Sequence, residues 1–309
     1  MNWDLGKRPY LFPIHYSLFT TRYSPDKNED HIVTAHARRE AARIGAGSPV
    51  TRSQAQSVAI LTLDRPASRN SLSEAMLGAL QEEFERIAAD ASIRAVILAA
   101  NGPAFCAGHD LKEMTARRTD SDQGRAYYQE MFARCSKLMC TILRLPQPVI
   151  AAVDGVATAA GCQLVASCDL AVAAFGARFS TPGVNIGLFC STPMVALSRN
   201  LGRKRAMEML LTGEMVGAEE ALRLGLVNRV APAGQPAQDM AMQLAEVIAS
   251  KSPLTVKIGK EAFYEQIEMP LEDAYAYTSR VMVENMLARD AEEGIGAFIE
   301  KRKPRWTGE

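Results

Sequence analysis

Two stretches of this chain carry the residue types from which a site of backbone donors can be built. The first is Gly102-Pro-Ala-Phe-Cys-Ala-Gly-His-Asp-Leu-Lys-Glu113. Gly108 stands just before a polar run, and a glycine there lets the backbone turn and aim free N–H groups at a ligand. The second is Val153-Asp-Gly-Val-Ala-Thr-Ala-Ala-Gly-Cys-Gln-Leu-Val-Ala-Ser-Cys-Asp169. Ala159, Ala160 and Gly161 have almost no side chain, so a ligand can approach the backbone. The first N–H groups of a helix starting near Ala160 would have no internal partner, and the dipole favours negative charge there. Each stretch alone reads equally well as plain structure: a strand-to-helix turn with Asp110 near the helix start, and a tightly packed small-residue helix. Neither is a GxGxxG dinucleotide loop or a GxxxxGK phosphate loop. Two donor turns with no obvious nucleophile suit one task, which is to polarise a carbonyl and stabilise the enolate that forms when charge moves onto its oxygen.

Composition narrows the other possibilities. Lys+Arg 35 balances Asp+Glu 35 for a net charge of +0, which gives no general attraction to nucleic acid or an anionic membrane. The clusters Arg203-Lys-Arg205 and Lys301 to Arg305 are too small for a nucleic-acid footprint. Of four histidines, His15, His31 and His36 lie in the first stretch, which leaves His109 alone in the body of the chain. A His-rich zinc site is therefore not expected, and a histidine-based triad would have to use His109 or borrow from the first stretch. Cys106, Cys135, Cys140, Cys162, Cys168 and Cys190 form no CxxC pair and are expected to be buried, reduced thiols. The most apolar run, Pro148 to Ala174, is interrupted by Asp154, Gly155, Gln163 and Asp169, which favours strand, turn and helix over a membrane span.

The donor turns must be held by regular elements, and these can be read along the chain. Residues 1–53 differ in composition and are expected to be a weakly ordered extension, with a folded appendage or a targeting peptide as alternatives. Asp26, Glu29 and Asp30 count against a transit peptide. A cytoplasmic location is expected, or a mitochondrial one if the extension is a transit peptide. Ser57 to Leu63 is rich in strand formers, and Pro66 closes it. Ser71-Leu-Ser-Glu74 fits a capping box, and Leu72, Met76, Leu80, Phe84 and Ile87 follow as one apolar stripe. Arg94 to Ala99 is the next strand. A helix over about 123–143 presents Met131, Cys135, Leu138 and Ile142. Pro146 and Pro148 stop it, and Val149 to Val153 is a buried strand. Strand–helix alternation with short connections predicts an α/β core over 54–235, followed by a helical region over 236–309.

Both donor segments, in this order and at this separation, resemble the crotonase (enoyl-CoA hydratase/isomerase) superfamily. So do Leu63-Asp-Arg-Pro-Ala-Ser-Arg-Asn-Ser-Leu72 and Thr212-Gly-Glu-Met-Val-Gly-Ala-Glu-Glu-Ala-Leu-Arg-Leu-Gly-Leu-Val-Asn228. Within it the chain looks most like the enoyl-CoA hydratase domain-containing protein 3 group, on Asn70-Ser71-Leu72, Gly108-His109-Asp110-Leu111, Gly161 to Asp169 and Pro182 to Pro193. The resemblance implies a spiral (superhelix) of ββα turns, with a C-terminal helical part that makes trimers, often paired into hexamers. It implies an acyl-CoA thioester as ligand, with CoA as part of the substrate and no metal or redox cofactor. It implies oxyanion-hole N–H groups from His109 and Ala160. His109, Asp110, Leu111 and Lys112 would lie along the CoA, with Ala160 and Gly161 at the thioester. The implied activity is that of an enoyl-CoA hydratase/isomerase-like lyase of fatty-acid or related acyl-CoA metabolism.

The chain departs from the family at both of its usual glutamates. The first position holds Gln163, an amide without a titratable proton near neutral pH. The second falls in Phe179-Ser-Thr-Pro-Gly183, where Gly183 has no side chain. General acid–base groups contribute roughly 10²–10⁴-fold each, so ordinary hydration is expected to be very slow. Asp110, Glu113, Asn185 and Cys190 are the nearby candidates for replacement, and the space at Gly183 could admit a water or a small anion. The alternative readings are a non-catalytic acyl-CoA binding or regulatory protein, and a structural protein using its oligomer surface.

Overall fold

The computed structural model describes residues 47–309, so most of the expected extension lies outside the described residues. Order begins earlier than Ser57. Strand β1 (Val50–Ala55) pairs antiparallel with β2 (Val58–Leu63), from Val50 opposite Leu63 to Ala55 opposite Val58. The turn between them passes through Gln56 at φ 52°.

From β2 onward the first sheet is parallel: β3 (Ala95–Ala100), β5 (Val149–Val153), β7 (Leu170–Ala173) and β10 (Arg229–Val230) follow in the order β1-β2-β3-β5-β7-β10. A second sheet runs β4 (Ala104–Cys106), β6 (Val156–Thr158), β8 (Arg178–Ser180), β9 (Val216–Gly217). Strands β3 and β4, β5 and β6, and β7 and β8 are consecutive in the chain, one in each sheet, and each pair leads into helix. This is the ββα spiral that the resemblance implies.

Successive side chains of a strand point to opposite faces, and both faces of the first sheet are covered. Leu61, Leu98 and Ala151 join the main core with α1 (Glu74–Ala88) and α3 (Arg125–Arg144). Ile60, Ile97 and Ile150 turn the other way and meet α8 (Ala237–Ala249) through Ala237, Ala241 and Ala245. Alanines one turn apart let that helix lie close to the sheet.

The predicted stripe of α1 is buried at Met76, Leu80, Phe84 and Ile87, but the cap differs from the expected box. Ser73, not Ser71, is the N-cap, and its hydroxyl accepts the Met76 N–H at 3.2 Å. Ser71 instead donates to Asp110 Oδ2 at 3.1 Å. Ser73→Ala is expected to cost about 1 kcal/mol in urea unfolding, while Ser71→Ala is expected to loosen the start of α2 (Leu111–Ala116) without fraying α1.

Five of the cysteines are buried and unpaired, as expected, but Cys140 is exposed. It falls between the inward-facing Leu138, Met139 and Ile142 on α3. The remaining helices are α4 (Ala160–Ser167), α5 (Pro193–Asn200), α6 (Arg203–Thr212), α7 (Ala218–Leu224), α9 (Pro253–Gln266), α10 (Leu271–Leu287) and α11 (Arg289–Ile299). The chain end is tied down. Asp290 accepts from Ser252 Oγ at 2.6 Å, Thr307 N at 2.7 Å and Gly308 N at 3.1 Å, and Trp306 Nε1 donates to the Ser250 carbonyl at 2.8 Å. No helix among the described residues is long and apolar enough to cross a membrane.

Candidate active site

The two donor turns meet where β4 and β6 end. Gly108 has φ 95°, and a Cβ on it would lie 2.9 Å from Ala159 Cβ, 3.2 Å from the Thr158 carbonyl oxygen and 3.4 Å from Ala160 N. Both its conformation and this close approach require glycine.

The first turn is braced from behind. Gly108 O accepts from Leu72 N at 2.8 Å, and Ala107 N donates to Arg69 O at 3.1 Å. Thr158 Oγ1 donates to Ala107 O at 3.1 Å. Asn70 is fully buried and fully used. Its Oδ1 accepts Arg65 N at 2.7 Å, and its Nδ2 donates to Asn101 O and Ala104 O at 2.9 Å each. Asn70 therefore fixes the loop that leads to the first donor, a role the sequence shows only as part of a motif.

Asp110 serves structure with its side chain. Its carboxylate accepts from Lys112 N at 2.9 Å, Glu113 N at 3.3 Å and Ser71 Oγ. Glu113 Oε2 in turn accepts Glu74 N at 3.0 Å. Both carboxylates that follow the first turn are thus engaged. Leu111 and Lys112 are exposed beside the turn, open to a long ligand.

The second turn stores strain. Ala159 holds φ 51° and ψ −121°, outside the regions an alanine ordinarily occupies. The fold over-determines it: Ala159 N donates to Ser180 O at 2.9 Å and Ala159 O accepts Gln163 N at 3.0 Å. The outcome is the direction of the next peptide, Ala160 N–H, at the start of α4. Neither His109 N nor Ala160 N donates to any backbone group among the described residues. Both N–H groups lie on turns that touch at Gly108 and Ala159.

Gly161 is required by the packing. A Cβ on it would sit on the Cys106 carbonyl oxygen, with Cys106 C at 2.7 Å and Cys106 Cβ at 2.8 Å. The glycine lets α4 start directly against β4.

The space expected at Gly183 is also corrected. Gly183 is buried in the turn Pro182–Ile186, and its Cβ direction meets the Leu188 carbonyl oxygen at 2.8 Å and Cys190 Sγ at 2.9 Å. The chain folds back through Leu188 N to Gly183 O, 2.9 Å, so the thiol occupies the place where a side chain at 183 would begin. Burial raises the Cys190 thiol above its usual range, partly offset by the Gly183 backbone. Asn185, by contrast, is exposed.

Several buried polar atoms around these turns have no partner among the described residues: Gln163 Oε1, Ser180 Oγ and both ring nitrogens of His109. Gln163 is 4% exposed and Ser180 0%. The His109 ring stands edge-on to Phe132, centroids 5.4 Å apart. Burial pushes its pKa down, which favours the neutral imidazole. Buried polar atoms are normally paired, and such a group beside two free N–H donors marks a place for a polar ligand.

A model of the enoyl-CoA hydratase/isomerase family matches residues 53–309. The human enoyl-CoA hydratase domain-containing protein 3, mitochondrial, is 49% identical over 261 residues, 84% of this chain and 84% of that protein. The 2,3-dehydroadipyl-CoA hydratase of Escherichia coli is 35% identical over 257 residues, 83% of this chain and 97% of that protein. Among solved structures, an enoyl-CoA hydratase of Mycobacterium smegmatis superposes with a TM-score of 0.79 at 53% identity, covering 84% of this chain and 98% of that chain. The human domain-containing protein 3 superposes with a TM-score of 0.79 at 49% identity, covering 84% of this chain and 100% of that chain.

Proposed function

The chain belongs to the enoyl-CoA hydratase/isomerase family, and from that premise we propose that it is an acyl-CoA thioester enzyme that stabilises a thioester enolate between the backbone N–H groups of His109 and Ala160. The observation that carries this reading is the pair of unpartnered N–H groups on turns in contact at Gly108 and Ala159. Charge that develops on a carbonyl oxygen there meets fixed donors that need no reorganisation. Leu111 and Lys112 lie along the CoA, which enters as part of the substrate. No metal or redox cofactor is called on. The reaction is of the lyase or isomerase kind and belongs to fatty-acid or related acyl-CoA metabolism.

Isothermal calorimetry with matched ligands tests the donor pair. An acyl-CoA thioester is expected to bind about tenfold more tightly than the S-alkyl thioether of the same chain length, since the thioether lacks the carbonyl and each hydrogen bond contributes about 0.5–1.5 kcal/mol net. Equal affinity would sink the reading.

Gln163 and Gly183 favour a second reading, a non-catalytic acyl-CoA binder or regulator, because neither can transfer a proton. Thioester turnover decides between the two. The exposed apolar residues Leu271, Tyr275, Met282, Val283 and Met286 on α10, with Phe298 and Ile299 at the end of α11, support a homotrimer, or a hexamer of paired trimers. Light scattering on the purified chain measures this directly, with three or six times 33.6 kDa expected. The human relative is named as mitochondrial, which supports the mitochondrial alternative over a cytoplasmic location.

A further inference from the structure

We propose, resting on the thioester reading above, that a groove along the first two turns of α3 receives the far end of the acyl chain, and that Arg125 in it selects chains ending in a carboxylate. The preferred substrates are then ω-carboxyacyl-CoA thioesters with chains of about eight to twelve carbons.

The groove follows from helical spacing. Arg125, Tyr128, Gln129 and Phe132 stand at i, i+3, i+4 and i+7 of α3, which puts them on one face. With Asp122 and Gln123 they line a cleft of about 350 Å3, near the lower end of the roughly 300–1,000 Å3 usual for small-molecule sites. One end of the cleft adjoins the site already described. Phe132 is both a wall of the cleft and the ring that the His109 imidazole meets edge-on, centroids 5.4 Å apart. A chain that leaves the thioester past His109 can therefore run along α3 from Phe132 towards Arg125.

The walls are fixed by the protein's own bonds. Tyr128 OH donates to Met114 O of α2 at 2.9 Å. Gly124, at φ 82°, lies against the same ring, since a Cβ on it would come within 2.9 Å of Tyr128 Cζ and 2.8 Å of Arg117 O. The Asp122 carboxylate is committed to the turn, where it accepts Gly124 N and Ala126 N at 2.9 Å each.

The cation in the cleft is not committed in this way. Arg117 lies 3.9 Å from Glu74 and stacks over the Tyr127 ring, and Arg134 holds Glu130 at 2.7 Å. Arg125 enters no ion pair among the described residues. A cation in the first turn of a helix gains nothing from the helix dipole, so local stability does not explain an arginine there. Tyr128 and Phe132 make the cleft largely apolar along its length. An apolar path that ends at an unpaired guanidinium suits an aliphatic chain with an anionic end, because the planar guanidinium fork matches a carboxylate.

The same spacing sets a ruler. Seven residues of helix rise about 10 Å, and an extended chain advances about 1.2 Å per bond. The path from Phe132 to Arg125 therefore corresponds to about eight bonds. A six-carbon chain ends short of Arg125, whereas a ten-carbon chain reaches it.

The test is isothermal calorimetry on the full chain with decanedioyl-CoA and hexanedioyl-CoA, each compared with the monocarboxylic thioester of equal length, decanoyl-CoA or hexanoyl-CoA. Decanedioyl-CoA is expected to bind about fivefold more tightly than decanoyl-CoA at low salt, as an ion pair at a partly exposed site would give. Added salt is expected to shrink that advantage, and hexanedioyl-CoA is expected to have none over hexanoyl-CoA. Arg125→Gln is expected to abolish the decanedioyl advantage while leaving decanoyl-CoA within about twofold, and Arg125→Glu to reverse it. Equal losses for both ten-carbon thioesters in Arg125→Gln would put Arg125 on the CoA phosphates and overturn the proposal. A carboxylate advantage that is absent at ten carbons, or equal at six and ten, overturns it as well and leaves the thioester reading standing. Absence of binding by every thioester overturns the thioester reading itself.

Discussion

Replacing Gly161 by alanine is expected to destabilise the chain by about 3 kcal/mol and to remove most thioester affinity. The added methyl group would fall on the Cys106 carbonyl, a backbone group in β4. Overpacking usually costs about 1–3 kcal/mol because side chains can give way; here the obstacle is main chain in a buried strand, so the upper end applies. Relief requires α4 to move away from β4. That motion carries Ala160 N away from His109 N, because the two donor turns touch at Gly108 and Ala159. Stability and ligand affinity should therefore fall together. Urea unfolding and thioester calorimetry on the same variant check this. A variant that unfolds at the wild-type midpoint and binds normally would show that α4 can start elsewhere without cost.

The fold was well marked in the sequence because its signals are local or repeated. The strand at Val149–Val153 is bounded by Pro148 and Asp154-Gly155, and it appears with those bounds. The helix at Ala160 follows from small residues after a strand. Its match to a family, through four ordered motifs, agrees with the family model over residues 53–309. What escaped depends on contacts far apart in the chain. Ser71 and Ser73 are equally good caps on local grounds, and only Asp110, thirty-nine positions on, draws Ser71 away. A glycine in sequence reads alike whether it lies against a neighbouring turn, as Gly108 does, or a neighbouring strand, as Gly161 does. Gly183 looked like room for a water because it has no side chain, but the chain returns and fills the room with Cys190. Absence of a side chain is a statement about one residue, whereas a cavity is a property of all its neighbours.

The same distinction between local and distant contacts governs how the C-terminal helices are held. Lys260 on α9 is buried, and its Nζ donates to Ile142 O at 3.0 Å, Gln147 O at 3.1 Å and Asp169 Oδ2 at 2.7 Å. Asp169 also accepts Val149 N at 2.7 Å and Tyr264 OH at 2.9 Å. One ammonium and one carboxylate thus join α3, the start of β5, the start of β7 and α9. Burial lowers the Lys260 pKa more than Asp169 raises it, so the ion pair only partly repays the desolvation of the ammonium. The network still resists piecemeal removal. Lys260→Met keeps the volume but leaves a buried carboxylate short of its cation, and removing one partner of a buried pair costs about 3–5 kcal/mol. We expect that loss in urea unfolding. Asp169→Asn in the same chain should recover part of it, because an amide needs no counter-charge. Lys260→Met is also expected to leave thioester affinity nearly unchanged in whatever fraction is folded, since the network lies at the opposite end of β5 and α4 from the donor turns. A Lys260→Met chain as stable as the wild type would mean that α9 is held by its apolar contacts alone.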